Sequence, residues 1–153
     1  MVNIDMEKLS VFDVIGPNMI GPSSSHTAGA LKIARLAAEQ VPGSIVQATF
    51  FLYGSFAATY RGHGTDRALL AGLLGFKADD IRIKNAYKHA EDAGLKYSFI
   101  AAPLKEEMHP NTVDLVLFND NREMYVITGV SEGGGIARII HTNTKKDDRF
   151  GFW

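Results

Sequence analysis

Two short polar segments of the chain contain residue types suited to ligand binding and proton transfer. The first runs Gly21-Pro-Ser-Ser-Ser-His-Thr27 and opens into an apolar helical pattern. The second, further along the chain, runs Arg61-Gly-His-Gly-Thr-Asp66. Hydroxyl groups bind carboxylates or phosphates, and histidine exchanges a proton near neutral pH. Together the two segments predict one site for a small polar or anionic ligand.

The serine segment stands where a helix is expected to begin. The first backbone N–H groups of a helix lack partners within it, and this end attracts anions. One capping residue is enough for a helix, so the run Ser23, Ser24 and Ser25 followed by His26 exceeds what capping requires. We therefore take these four residues as binding candidates. The alternative is that one serine merely caps the helix.

The second segment places His63 between Gly62 and Gly64, which allow the backbone to pass close to a ligand. A histidine there can act in proton transfer near neutral pH, and a loop histidine with no task is the alternative. Thr65 offers an N-cap for the helix that follows. Asp66 has an ordinary role available in the field of the helix dipole.

Two further clusters are weaker candidates. His109-Pro-Asn-Thr112 precedes a predicted strand, and Ser131-Glu-Gly-Gly-Gly135 lies between two strands, where it could present amides to an anion. Turn geometry alone also explains both. His26, His63 and Asp66 could in principle bind a metal, but they lack the close spacing of a dedicated site.

Composition narrows the class of protein. The 153 residues, 46% of them hydrophobic, fit one domain spanning 1–153. With 16 basic and 17 acidic residues and no basic block, we expect no nucleic-acid partner. No apolar run is long enough to cross a membrane, and we expect a cytoplasmic protein. The absence of cysteine means that this chain's own thiolates cannot hold an iron–sulfur cluster.

Hydrophobic spacing predicts mostly helices in the first half and mostly strands in the second. Helices are expected from Thr27 to Val41, after Thr65, and after Asp79 or Asp80. Strands are expected at Ser44–Tyr53, Tyr97–Ala101, Val113–Phe118, Glu123–Val130 and Ile136–Thr142. Short links between the last three strands favour an antiparallel meander. The prediction is an α+β fold with helices packed on one face of a mixed or antiparallel sheet.

Taken in order, these motifs closely resemble the beta subunit of bacterial iron–sulfur-dependent L-serine dehydratase. The resemblance covers Ser10 to the glycine triplet and rests on Ser10-Val-Phe-Asp13, Ile20-Gly-Pro-Ser-Ser-Ser-His-Thr-Ala-Gly-Ala30, Tyr53-Gly-Ser-Phe56, Gly62-His-Gly-Thr-Asp66, His109-Pro-Asn-Thr112, Gly129-Val-Ser131 and Gly133-Gly-Gly135. It implies an L-serine ammonia-lyase that forms pyruvate and ammonia. The [4Fe-4S] cluster would be held by cysteines of a separate alpha subunit.

The same resemblance implies roles for individual residues. His63 would be the base that removes the α-proton, and Ser23, Ser24, Ser25 and His26 would bind the carboxylate or amino group of L-serine. Thr65 would position the substrate or His63. Asn111 and Gly134 are further substrate-binding candidates.

The resemblance also bears on architecture and assembly. The fold is expected to be similar to the allosteric substrate-binding domain of some phosphoglycerate dehydrogenases. Beta subunits of this family commonly continue into an ACT-type domain, which is absent from this sequence. Glu132 stands where a small aliphatic residue is expected. A homodimer of this chain is a further expectation.

Two other functions are compatible with the residues. A regulatory module that binds serine or a related anion without chemistry would use the serine segment but not His63. A self-contained serine hydrolase is less favoured, because the chain lacks a G-x-S-x-G elbow and Ser23 to Ser25 follow a proline rather than a strand.

Overall fold

The computed structural model describes residues 24–61 and 64–146. Its helices are α1 (Ser24–Glu39), α2 (Gly54–Thr59), α3 (Thr65–Leu73) and α4 (Ala86–Asp92), with a 3-10 helix at Ile81–Asn85 directly before α4. Its strands are β1 (Ile45–Tyr53), β2 (Lys96–Ala102), β3 (Thr112–Asn119), β4 (Glu123–Gly133) and β5 (Ile136–Lys146). The predicted α+β class is confirmed.

The strands form one mixed sheet in the order β2-β1-β3-β4-β5. β1 and β2 are parallel, and every other neighbouring pair is antiparallel, so the predicted meander of the last three strands is confirmed. Leu52 pairs with Val113, Thr112 with Val130, and Gly133 with Ile136. The end of β1, the start of β3 and the turn from β4 to β5 therefore lie together. We call this end of the strands the site end.

The core lies between the helices and one face of the sheet. Alternate strand residues such as Phe50, Leu52 and Leu115 are fully buried there, together with Ile33 of α1 and Leu69 of α3. Each such side chain contributes about 1.5–3 kcal/mol through its burial. This packing holds α1 and α3 against the sheet.

Helices α1 and α3 run in the same general direction. A Cβ on Gly72 would lie 2.5 Å from the Leu31 carbonyl oxygen, so the last turn of α3 touches the middle of α1. Gly75, two residues after α3 ends, borders a groove with Ala38 and Glu39, near the end of α1. The N-terminal turn of α3 therefore lies towards the N-terminal turn of α1.

Two helix boundaries differ from the prediction. α1 begins at Ser24 rather than Thr27, so Ser24 and Ser25 belong to its first turn and not to a loop. The single helix predicted after Asp80 is split into the 3-10 helix and α4, because Asn85 leaves helical geometry at φ −113° and ψ 32°. Asp80 caps the 3-10 helix as expected, accepting from the Arg82 N–H at 2.9 Å.

In residues 24–61 and 64–146, none of the helices combines the length and the apolar character needed to span a membrane.

Candidate active site at one end of the sheet

His26 joins the first turns of α1 and α2 at the site end. Its Nε2 lies 2.8 Å from Ser55 Oγ, and its ring meets Phe56 edge-on with the centroids 5.7 Å apart. Ser55 was not among the predicted site residues, although the Tyr53-Gly-Ser-Phe56 motif contains it. A Gly-Ser pair after a strand is common in turns, so its type alone gave no signal.

Gly54 brings the start of α2 against the His109–Thr112 segment. Its φ is +56°, and a Cβ there would lie 2.4 Å from the Pro110 carbonyl oxygen. The same oxygen accepts a hydrogen bond from the Ser55 N–H at 2.8 Å. The two sequence motifs therefore meet directly, at a spacing that only glycine permits.

Asn111 is held firmly by its backbone while its side-chain oxygen stays unused. Its N–H donates to His109 Nδ1 at 2.9 Å, and its carbonyl accepts from the Ser131 N–H at 3.0 Å. Thr112 Oγ1 donates to the His109 carbonyl at 2.6 Å and closes the turn. Asn111 Oδ1 is buried and has no hydrogen-bond partner in the structure. The turn thus presents a fixed, unpaired acceptor.

Thr65 provides a second buried oxygen, in the first turn of α3. It was predicted to cap α3, but the N-cap is Gly64, in left-handed geometry at φ 80°, and Thr65 is the first helical residue. Gly64 takes this position because its missing Cβ allows a positive φ. The Thr65 side chain is fully buried and its Oγ1 has no hydrogen-bond partner. Its hydroxyl is therefore not used as a cap.

Gly134 lies in the turn from β4 to β5, where a Cβ would meet nothing within 4 Å. The preceding Glu132 pairs with Arg138 at 2.7 Å, so its charge is partly balanced on the protein. One residue earlier, Ser131 packs against α1 so closely that a Cβ on Gly29 would lie 1.9 Å from its Oγ. The turn is therefore close to the first turns of α1 and open to solvent.

The structure brings together three of the predicted site residues, His26, Asn111 and Gly134, at the site end. Thr65 lies in the first turn of α3, which is directed towards the first turn of α1. The backbones of Ser24 and Ser25 lie in the first turn of α1, while their side chains are outside the description. Ser23 and His63 lie outside the described residues. The expected roles of these residues stay predictions.

Asp66, also considered as a metal ligand, has both carboxylate oxygens occupied by protein groups. Oδ1 accepts from the Arg67 N–H at 2.8 Å and Oδ2 accepts from the Tyr87 hydroxyl. Among the residues that the structure describes, no group of three His, Cys, Asp or Glu side chains could hold a metal ion.

A hydrogen-bonded triad lies next to Ser55 on the sheet face opposite the helices. The Tyr53 hydroxyl donates to Asp114 Oδ2 at 2.8 Å, and Thr128 Oγ1 donates to Asp114 Oδ1 at 2.5 Å. Burial, followed by the bond to Asp114 and its negative charge, raises the pKa of Tyr53 to about 12. The triad joins β1, β3 and β4 and steadies the strand end from which Gly54 and Ser55 emerge.

This pKa predicts how stability changes in alkali. The folded state holds the Tyr53 proton more tightly than the unfolded chain, whose tyrosine pKa is about 10. Unfolding therefore releases a proton between about pH 10 and about pH 12, and stability should fall as the pH rises through this range. Urea unfolding should show a steeper loss for the wild type than for Tyr53→Phe. Equal slopes would contradict the assignment.

Known proteins resemble this chain over most of its length. The family model for the serine dehydratase beta chain matches residues 10–142. The L-serine dehydratase beta chain of Peptoniphilus asaccharolyticus is 49% identical over 138 residues, which are 90% of this chain and 62% of that protein. The probable L-serine dehydratase beta chain of Bacillus subtilis is 45% identical over 141 residues, with the same coverage of 90% and 62%.

A more distant relative covers the same region within a larger protein. The L-serine dehydratase of Helicobacter pylori is 31% identical over 162 residues, covering 92% of this chain and 34% of that protein. The chain thus spans 62% of the length of the beta chains that it matches. The matched residues contain every motif that meets at the site end, and the chain belongs to the serine dehydratase beta chain family.

Proposed function

We propose that this chain is the beta subunit of an L-serine ammonia-lyase, which forms pyruvate and ammonia together with a separate alpha chain. One observation carries the proposal beyond family membership. Of the described side chains, Thr65 Oγ1 and Asn111 Oδ1 are buried without a hydrogen-bond partner, and both belong to motifs on which the resemblance to the family rests. A buried unpaired polar group costs about 1–3 kcal/mol. A bound polar ligand would offset this cost.

The two oxygens and the nearby helix end match the groups of an amino acid. Asn111 Oδ1 is an acceptor, which suits the α-ammonium of L-serine, and Thr65 Oγ1 can accept from or donate to the substrate. The first-turn N–H groups of α1 and the hydroxyls of Ser23–Ser25 suit the carboxylate. His26, oriented by Ser55 at 2.8 Å, and the open turn at Gly134 complete the set.

The chemical step needs a base and a departing hydroxyl. We assign the base to His63, which would take the α-proton of L-serine while the C–O bond of the hydroxyl breaks. The enamine product would tautomerise and hydrolyse to pyruvate and ammonia. This chain has no cysteine and so no thiolate ligands, and the alpha chain would hold the [4Fe-4S] cluster. When bound, the cluster would supply a Lewis acid for the hydroxyl.

Thr65→Val is the sharpest test of the binding role, because the two side chains have nearly the same shape. Assembled with its alpha chain under anaerobic conditions, the variant should show a KM for L-serine raised about tenfold, and Asn111→Ala should show at least as large a rise. The free Thr65→Val chain should be as stable as the wild type or more stable, because it loses a buried unpaired hydroxyl.

The two readouts separate ligand binding from folding. An unchanged KM in both variants, with normal assembly, would remove the substrate-binding role of these oxygens. A loss of stability in Thr65→Val would show that the hydroxyl serves the fold instead. Asn143→Ala is the matched control, since Asn143 is exposed on β5, and its KM should equal that of the wild type.

A further inference from the structure

A cluster of aromatic rings in stacked, tilted and edge-on contacts connects α4, β2 and the segment that follows α2. Phe99 is its centre, with the rings of Phe50, Tyr60 and Tyr87 at centroid distances of 4.8, 5.8 and 6.3 Å. Tyr97 completes it, 5.4 Å from Tyr87. We call these five residues the aromatic cluster.

Both ends of the segment that contains His63 are attached to the aromatic cluster. At the leading end, Tyr60 stacks on Phe99. At the trailing end, the Tyr87 hydroxyl donates to Asp66 Oδ2. The two ends also meet directly, since the Asp66 N–H donates to the Tyr60 carbonyl at 3.4 Å. These contacts hold Tyr60 and Asp66, the described residues on either side of the segment.

The Asp66 carboxylate is more buried than a favourable interaction with the helix dipole requires. It is only 4% exposed, although an exposed aspartate in a first turn would give the same favourable charge. A buried carboxylate is costly unless it is hydrogen-bonded, and here the Arg67 N–H and the Tyr87 hydroxyl supply the bonds. Burial, followed by the bond to Asp66, raises the pKa of Tyr87, so the hydroxyl remains a donor.

We propose that Asp66 and Tyr87 are positioning residues, whose hydrogen bond ties the trailing end of the His63 segment to the aromatic cluster and so sets where His63 meets the substrate. The inference rests on the proposed function for the role of His63. The hydrogen bond between Tyr87 and Asp66 and the ring contacts of Tyr87 are all among described residues. Neither side chain is required to touch the substrate.

Tyr87→Phe tests the role of the hydrogen bond to Asp66, since it removes the hydroxyl and keeps the ring. In the assembled pair, kcat for L-serine should fall about tenfold or more while KM changes by less than about twofold. Tyr97→Phe is the matched control, because its hydroxyl donates at 2.7 Å to Glu91, an exposed residue, within the same aromatic cluster. Its kcat should remain at the wild-type value. Asp66→Asn, which keeps an acceptor for Tyr87, should retain more activity than Asp66→Ala.

A second readout does not depend on turnover. Trypsin cleavage of the full chain after Arg61, an exposed residue at the start of the segment, should be faster in Tyr87→Phe than in the wild type or Tyr97→Phe. Faster cleavage with a lower kcat supports the proposal. An unchanged cleavage rate, or faster cleavage with an unchanged kcat, would overturn it. If the wild-type pair does not turn over L-serine, the proposed function fails. The cleavage rates would still test whether the hydrogen bond between Tyr87 and Asp66 holds the segment.

Discussion

Gly54→Ala should lower the free energy of unfolding by about 2–5 kcal/mol and reduce turnover by the assembled pair roughly 10²-fold. The substitution has two costs. An alanine at φ +56° is strained by about 1–2 kcal/mol, and its Cβ would lie 2.4 Å from the Pro110 carbonyl oxygen. Backbone atoms on both sides must then separate, which adds about 1–3 kcal/mol.

The effect on activity follows from what Gly54 positions. If α2 moves away from Pro110, it carries Ser55 with it, and the 2.8 Å contact between Ser55 Oγ and His26 Nε2 is lost. Asn111, next to Pro110 in the chain, shifts from the other side. A displacement of about 1 Å among substrate-positioning groups can reduce a rate about 10²-fold.

Gly94→Ala is the control that separates strain from contact. Gly94 has a φ of +76°, but a Cβ there would meet nothing within 4 Å, so this variant should lose only about 1–2 kcal/mol and keep its activity. Chemical denaturation of both variants measures the difference. Equal losses would show that the contact between Gly54 and Pro110 contributes nothing to stability.

The sequence predicts the helices and strands better than it predicts the tertiary contacts between them. The α+β class and the final meander follow from hydrophobic spacing, because buried strands alternate and helices repeat with a longer period. The pairing of Leu52 with Val113 brings the Tyr53–Phe56 and His109–Thr112 motifs together. Pairing between strands that are far apart in the sequence depends on the whole fold, so no local sequence pattern predicts it.

Asp66 and Ser55 illustrate this limit at the level of single residues. From its position, Asp66 fits a helix dipole role, yet its carboxylate bonds to Tyr87 on another helix. Ser55 lies in a noted motif, but only the folded chain places it beside His26. Thr65 was expected to cap α3, and the left-handed Gly64 takes that position. In each case a tertiary contact overrides what the residue type suggests locally.

His63 carries the largest expected effect on catalysis. As the proposed base it would accept the α-proton, and the loss of a positioned base costs typically about 10²- to 10⁴-fold. Of the residues proposed for the site, His63 is the one assigned to chemistry rather than to binding. His63→Ala should therefore lower kcat by roughly 10²-fold or more without preventing assembly with the alpha chain.

His141→Ala provides the comparison, because His141 is exposed on β5 and has no assigned role. The deciding measurement is pyruvate release from L-serine by the anaerobically assembled pair, with wild-type, His63→Ala and His141→Ala chains. We expect wild-type turnover for His141→Ala and a roughly 10²-fold or greater loss for His63→Ala. Normal turnover by an assembled His63→Ala pair would remove the base role of His63 and favour a module that binds serine without taking part in the chemistry.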